Sequence, residues 1–377
     1  MARLDEICAI NMGQSPDSST YNEDSKGIPF FQGNVDFGEI YPAIRMWCSE
    51  PIKIAREKDI LISVRAPIGA LNIANCECCI GRGLAALTVN EDICAQEYLW
   101  HVLASKVDEL YSKGTGSIFK AINKKTLAET EIPLPPLAEQ RKIAAVMDKV
   151  SGLIAKIRQQ LDKLDVLVKS RFIELFGDCL TNPKGWKTRC LEDIAEVGSS
   201  KRVFVEELQD SGIPFYRGTE VGALAEGKQI TPELFITETH YEELCKATGT
   251  PQVGDLLMPS ICPDGRIWVV NTDSPFYFKD GRVLWVHAID NSYNPVFLLY
   301  TLKDRIMTDY SSIASGTTFA ELKIFALKKC RVFDVPLALQ EQFVAFVEQT
   351  DKSKLAIQKS LEKLEILKKA LMQKYFG

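Results

Sequence analysis

Histidine is scarce in this sequence, with three in 377 residues, and the three are isolated from one another. That scarcity argues against a zinc centre. The one Cys-x-x-Cys run, Cys76-Glu77-Cys78-Cys79, has no second pair at zinc-site spacing, and a half-buried strand of small side chains accounts for it. Positive charge is also short: 45 Lys and Arg against 50 Asp and Glu leave a net charge of −5. No stretch approaches the ~18 consecutive apolar residues of a membrane-spanning helix. The start, MARLDEICAI, lacks the basic and apolar regions of a signal peptide. Eleven cysteines are an odd number without framework spacing, which points to reduced cytosolic thiols rather than disulfides. What is left is a globular chain, 46% apolar and 25% charged, with room for two domains of ordinary size.

Catalytic signatures are missing too. Asp17, with Asp24-Ser25-Lys26 after it, fits a loose nuclease pattern, but two metal-holding acids belong on adjacent strands and this run is a Ser- and Asn-rich turn. Gly222 to Lys228 has the Gly-x4-Gly-Lys spacing of a phosphate loop, yet Gln229 stands where a magnesium-binding Ser or Thr is needed. Asn294-Pro295-Val296-Phe297 is close to the Asn-Pro-Pro-Tyr loop of amino-methyltransferases; a helix N-cap explains it better. No active site emerges.

What the sequence does contain is a long helix. After Pro136 there is no proline until Gly177, and apolar residues fall at Ile143, Met147, Val150, Ile154, Ile157, Leu161, Leu164 and Val168. These steps alternate four and three, which is the heptad seam of a coiled coil. Such a helix needs a partner, and Val335 to Gly377 offers one. Its seam (Phe343, Val347, Ile357, Leu361, Leu364, Leu371, Tyr375) is interrupted at Thr350 and Lys354. A lead proline, a Glu-Gln pair (Glu139-Gln140, Glu341-Gln342) and a closing Phe-Gly recur in both.

The repeat extends to the whole half-chain. Leu4-Asp5-Glu6-Ile7 is echoed by Leu191-Glu192-Asp193-Ile194, and Gly27 to Gly33 (GIPFFQG) by Gly212 to Gly218 (GIPFYRG). Asp59 to Ser63 answers Asp255 to Ser260, and Gly116-Ser117-Ile118-Phe119 answers Gly316-Thr317-Thr318-Phe319. The drifting offset implies longer insertions in the second copy. In the first copy, runs at Ile60 to Val64, Leu71 to Ala74 and Leu84 to Val89 read as mixed sheet, and Glu97 to Tyr111 as helix. In the second, strands are expected near Phe215 and over Leu256 to Met258, Ile267 to Val270 and Val283 to Val286, with a helix over Val296 to Tyr310. The fold class is therefore α+β: two mixed domains, at residues 1–138 and 179–338, with two long helices at 139–178 and 339–377. The helices are expected to form an antiparallel coiled coil.

The order of these motifs, their duplication and the paired helices resemble the specificity (S) subunit of a type I restriction-modification enzyme. Gly27 to Gly33 and Gly212 to Gly218, Asp59 to Arg65 with Ile68-Gly69, the glycine-rich turns, Ile132 to Gln140 and both helices carry the resemblance over nearly the whole chain. Two departures fall in the second copy: Val335-Pro336-Leu337-Ala338-Leu339 lacks the double proline, and Met258-Pro259-Ser260-Ile261-Cys262 alters the strand motif. The resemblance implies a prokaryotic, cytoplasmic, non-catalytic subunit whose two target-recognition domains each read one part of a split site in double-stranded DNA. The helices would act as spacer and bind two methyltransferase (M) subunits, with restriction (R) subunits joining later. This chain would bind no cofactor, since S-adenosylmethionine, ATP and magnesium would belong to those partners.

Charge sets a tension with that expectation, because nucleic-acid binders usually carry a basic surplus. Residues 1–138 hold 13 Lys and Arg against 18 Asp and Glu, and residues 179–338 hold 17 against 21. The isolated chain should accordingly grip phosphate weakly. Base readout needs polar or cationic side chains on groove-facing loops. Candidates in the first copy are Gln32, Asn34, Arg45, Arg65, Arg82, Lys113, Thr115, Ser117, Lys120 and Lys124; Arg65 and Arg82 equally suit a buried structural role. In the second copy they are Arg217, Arg266, Arg282, Thr317, Thr318 and Lys323. Apolar residues read as lying off the seams, Leu153, Leu167 and Phe172, then Ile366 and Leu367, are candidate partner contacts. Two readings from other classes stand beside this one. A coiled-coil protein adaptor without DNA readout suits the acidic balance, whereas a modification enzyme fused to its own recognition domain lacks the methyltransferase motifs.

Overall fold

The computed structural model describes residues 1–116, 120–316 and 320–377. They form two compact units, Met1–Gln159 with Ile357–Gly377, and Gln160–Ala356. The two long helices, Leu137–Phe176 and Leu337–Phe376, each run 40 residues and each contribute to both units.

In the first unit a four-stranded antiparallel sheet orders Cys8–Met12, Leu84–Val89, Ile60–Ser63 and Leu71–Ile73. Side chains alternate across a strand, and here both faces are buried, so the strands read as continuous apolar runs. Ile60, Ile62, Ala85 and Leu87 face the helix Gln96–Ser105 through Tyr98, Leu99, Val102 and Leu103. Leu61, Leu84 and Ala86 face Phe31, Cys78 and Ile80 of a second, five-stranded sheet. That second sheet is mixed, because Ile28–Phe31 runs parallel to Cys78–Ile80. Cys78 and Cys79 are fully buried there, and burial pushes the Cys79 thiol up to about 11. Among the described residues no group of three or more His, Cys, Asp or Glu is placed to hold a metal.

The second unit repeats this plan. Glu196–Gly198, Val283–His287, Leu256–Pro259 and Trp268–Val269 take the same order in an antiparallel sheet, and Ile213–Tyr216 runs parallel to Tyr277–Phe278. Pro259 lacks an N–H, but the ladder to Trp268–Val269 involves only Leu256 and Leu257, so no bond is lost at the proline. The longer insertion is a helix, Glu238–Thr248, absent from the expectation. The helix expected over Val296 to Tyr310 spans Pro295–Ile313, and the Asn294 side chain accepts from the Val296 N–H as its N-cap.

Within each unit, segments of the two long helices pack antiparallel. In the first, Arg158 meets Glu365 at 2.7 Å while Phe376 joins Ile143, Ala144 and Met147 in the core. In the second, Lys354 meets Asp165 at 2.6 Å and Phe343 stacks edge-on against Phe172 and Phe176. All eight seam positions of the first helix are buried or half-buried. One candidate contact is corrected. Phe172 is 2% exposed in an aromatic cluster with Phe176, Phe297 and Phe343. After Val168 the buried steps become four and four (168, 172, 176), the stripe of a straight helix lying on a domain rather than a supercoiled seam. Phe172 is core.

The sequence echo at the helix starts is also corrected. Gln140 is fully buried; its amide donates to the Ile93 and Pro135 carbonyls and its oxygen accepts from the Ala95 N–H. Gln340, not Gln342, repeats this in the second unit, donating to the Ser292 and Val335 carbonyls and accepting from the Asn294 N–H. Each glutamine satisfies three backbone groups at once, tying a helix start to the loop before a domain helix. A third tie is found in the first unit: buried His101 meets Asp148 at 2.7 Å, and its burial holds the imidazole below its usual range.

Gln340→Leu is expected to cost about 2–3 kcal/mol, because buried carbonyls and an N–H lose their partner. The exposed neighbour Gln342→Leu should change stability by less than about 0.5 kcal/mol. Denaturant titration of both variants checks the pair.

A candidate nucleic-acid interface at the sheet rim

Several candidates of the first unit gather at one end of its sheet. The backbone makes this rim. Gly83 donates to the Gln32 carbonyl at 3.2 Å, Val64 to the Gly83 carbonyl at 2.9 Å, and Ile122 to the Val64 carbonyl at 2.9 Å. Thr115 and Ala121 exchange two bonds of 2.9 Å, and Arg65 bridges Ala121. Gln32, Arg82, Arg65 and Thr115 therefore project from adjoining segments, all of them exposed.

Close backbone approach is what brings the segments together. A Cβ at Gly13 would sit 2.2 Å from the Gly81 carbonyl oxygen, and one at Gly83 would sit 2.6 Å from the Gln32 carbonyl oxygen. Only glycine fits at these crossings, and Arg82 between Gly81 and Gly83 is left on the surface. The crossing also adds two residues that the candidate set omitted. Gln14 is exposed, its N–H donating to the Ile80 carbonyl, and the Ser15 hydroxyl accepts from the Arg82 N–H at 3.2 Å. Their only signal in the sequence was the polar turn after Gly13.

The remaining candidates scatter in role. Asn34 opens a short turn, and Arg45 is exposed with its guanidinium 3.4 Å from Asp36. Lys113 pairs with Glu109 at 2.6 Å, Lys120 lies 4.4 Å over the Tyr111 ring, and Lys124 is exposed at the start of helix Lys124–Ala128. Ser117, Thr317 and Thr318 lie outside the described residues. Arg65 and Arg82 are exposed rather than buried, and neither makes an ion pair among the described residues.

The second unit differs in electrostatics. Arg217 pairs with Glu220 at 2.6 Å and Glu233 at 3.0 Å; its guanidinium, together with backbone N–H groups, draws the Glu220 carboxyl down to about 2 against the opposing effect of burial. Arg266 meets Asp264 at 2.8 Å, Arg282 meets Glu321, and Lys323 meets the same Glu321 at 3.2 Å. The frame nevertheless matches, since the Ser199 hydroxyl accepts from the Gly281 N–H beside Arg282. The near-motifs resolve as local structure: Asp17 accepts from the Ser19 N–H, and Gly222 lies inside the helix Gly218–Ala225.

Along the long helices, Leu153 (41%), Leu167 (47%), Ile366 (68%) and Leu367 (45%) are exposed. Val166, missed in the sequence, is exposed beside Leu167, so each unit carries an apolar pair: Val166-Leu167 in the second, Ile366-Leu367 in the first. No helix among the described residues is long and apolar enough to cross a membrane.

The family model described as the type I restriction modification DNA specificity domain matches twice, over residues 1–165 and 183–368. The chain belongs to that family. Among its relatives, a putative type I restriction enzyme MjaX specificity subunit of Methanocaldococcus jannaschii is 42% identical over 156 residues, 41% of this chain and 37% of the relative. The chain thus spans little more than a third of that protein's length. The MjaIX specificity subunit of the same organism is 27% identical over 345 residues, 86% of this chain and 78% of the relative. A crystal structure of a type I restriction-modification S subunit from M. genitalium aligns over 100% of this chain and 95% of its own, with a TM-score of 0.57 at 16% identity, which shows a common fold.

In duplex-DNA titrations over a salt series, Arg82→Ala is expected to lower the salt slope by about one, the signature of one lost phosphate contact. Arg217→Ala should leave the slope nearly unchanged, because Glu220 and Glu233 already neutralise that cation. Equal effects would contradict the contrast between the two rims.

Proposed function

We propose that this chain is the DNA-reading subunit of a type I restriction-modification complex, each unit reading one part of a bipartite site. The observation that carries this is a repeated frame with unlike rims. Sheet order, parallel strand pair, buried glutamine and serine–turn contact recur in both units. The rim side chains do not. A duplicated scaffold with divergent loops suits one task performed on two different half-sites.

The chain itself does no chemistry in this reading and works in the prokaryotic cytoplasm. Methyltransferase subunits hold S-adenosylmethionine, and restriction subunits supply ATP- and magnesium-dependent work. The isolated chain binds DNA weakly, since its domains are acidic and partners supply phosphate contacts. The exposed apolar residues of the long helices form the methyltransferase docking surface, one set per unit. A protein adaptor without DNA readout is favoured by one observation, the carboxylate-paired arginines of the second unit, and the experiment below separates the two.

Replacing residues 1–130 by the matching segment of a relative should change one half of the methylated motif and leave the other intact. Motif sequencing reads this directly; a change in both halves, or in neither, contradicts the modular reading. Leu153→Asp with Leu167→Asp should abolish co-purification with the methyltransferase while the thermal unfolding midpoint stays within a few degrees. Retained complex formation would remove these residues from the docking surface.

A further inference from the structure

The first unit displays a compact apolar loop next to the rim. Residues 34–45 fold back on themselves: Gly38 donates to the Tyr41 carbonyl at 3.1 Å, and Ala43 donates to the Asp36 carbonyl at 2.8 Å. Buried Asn72 clamps Gly38 from both sides, accepting its N–H at 3.2 Å and donating to its carbonyl at 3.0 Å. Phe37 anchors the loop in the core beneath. On this rigid base Val35 (67% exposed), Ile40 (48%), Tyr41 (55%) and Ile44 (41%) stand in solvent.

Large apolar side chains held outward by a fixed loop mark a contact surface. What they contact follows from continuity with the rim. The Asp36 carboxylate accepts from the Gln32 N–H at 2.8 Å and holds Arg45 at 3.4 Å, so the loop begins where the rim of Gln32 and Arg82 ends. Glu39, exposed in the same turn, suits base amino groups and not phosphate. At the corresponding place in the second unit, Ile213–Tyr216 leads directly into the helix Gly218–Ala225, whose Val221 is buried.

We propose that this loop is a specificity element of the first unit, reading thymine by apolar contact between Val35, Ile40 and Ile44 and the thymine methyl group. The inference rests on the DNA-reading function above. A thymine methyl is the apolar group that a base pair presents in the major groove, and a G·C pair has none. The half-site assigned to the first unit must then contain A·T pairs.

The test uses the full chain co-expressed with its methyltransferase. Motif sequencing fixes the site, and duplexes are made with every thymine of the first unit's half-site replaced by deoxyuridine, which removes only the methyl. Wild-type complex should bind this duplex about fourfold more weakly for each methyl contacted, the factor for burying one methyl-sized group. Val35→Ser with Ile40→Ser should bind the thymine duplex more weakly than wild type and show a smaller difference between the two duplexes, while still reading the second half-site. Equal wild-type binding to both duplexes, or a first half-site made only of G·C pairs, would overturn the proposal and leave DNA reading intact. A host whose methylation does not depend on this chain would overturn both. The deoxyuridine comparison needs no variant, so a misfolded double mutant leaves it decisive.

Discussion

A buried carboxamide with no water to satisfy it is a demanding group, and this chain places one at the start of each long helix. Gln140 and Gln340 each bind two carbonyls and one N–H. The geometry that satisfies all three fixes the helix against the loop that precedes a domain helix. The other end of each unit's pairing is closed by an aromatic ring. Phe376 meets Tyr98 in the first unit, and Phe176 meets Phe297 and Phe343 in the second. Every unit is thus held by the start of one long helix and the end of the other.

That arrangement separates what must stay constant from what can vary. The sheet, its order and the glutamine tie depend on buried apolar runs and on backbone bonds, so both copies keep them. The rim depends on neither. Its side chains leave from turns whose path is set by glycine crossings and backbone bonds, which allows exposed Gln32 and Arg82 in one copy and carboxylate-paired Arg217 and Arg282 in the other. Divergence at the rim costs the fold little, which is what the proposed reading of two half-sites requires.

The architecture was legible because it is written in periodicities. Heptad steps announced the long helices, and apolar runs between Gly and Pro announced the central strands. The misreadings have specific causes. Phe172 looked surplus because a strict seam was carried past Val168, where the helix changes from supercoiled pairing to packing on a domain. Glu139-Gln140 and Glu341-Gln342 match as sequence, but burial selects Gln340, two residues earlier, as the counterpart of Gln140. Arg65 and Arg82 were ambiguous between core and surface; both are exposed, Arg82 between the glycine crossings at Gly81 and Gly83. Gln14, Ser15 and the apolar residues of the loop 34–45 escaped because their placement comes from contacts 34 or more residues apart, such as Asn72 with Gly38 and Ser15 with Arg82.

In the proposed function two framed rims read two half-sites, and sequencing all methylated positions in a host with and without this chain distinguishes that from other roles. A split motif is expected, two short defined parts around an unread gap, present with the chain and lost without it. An uninterrupted motif, or a methylation pattern indifferent to the chain, would contradict it.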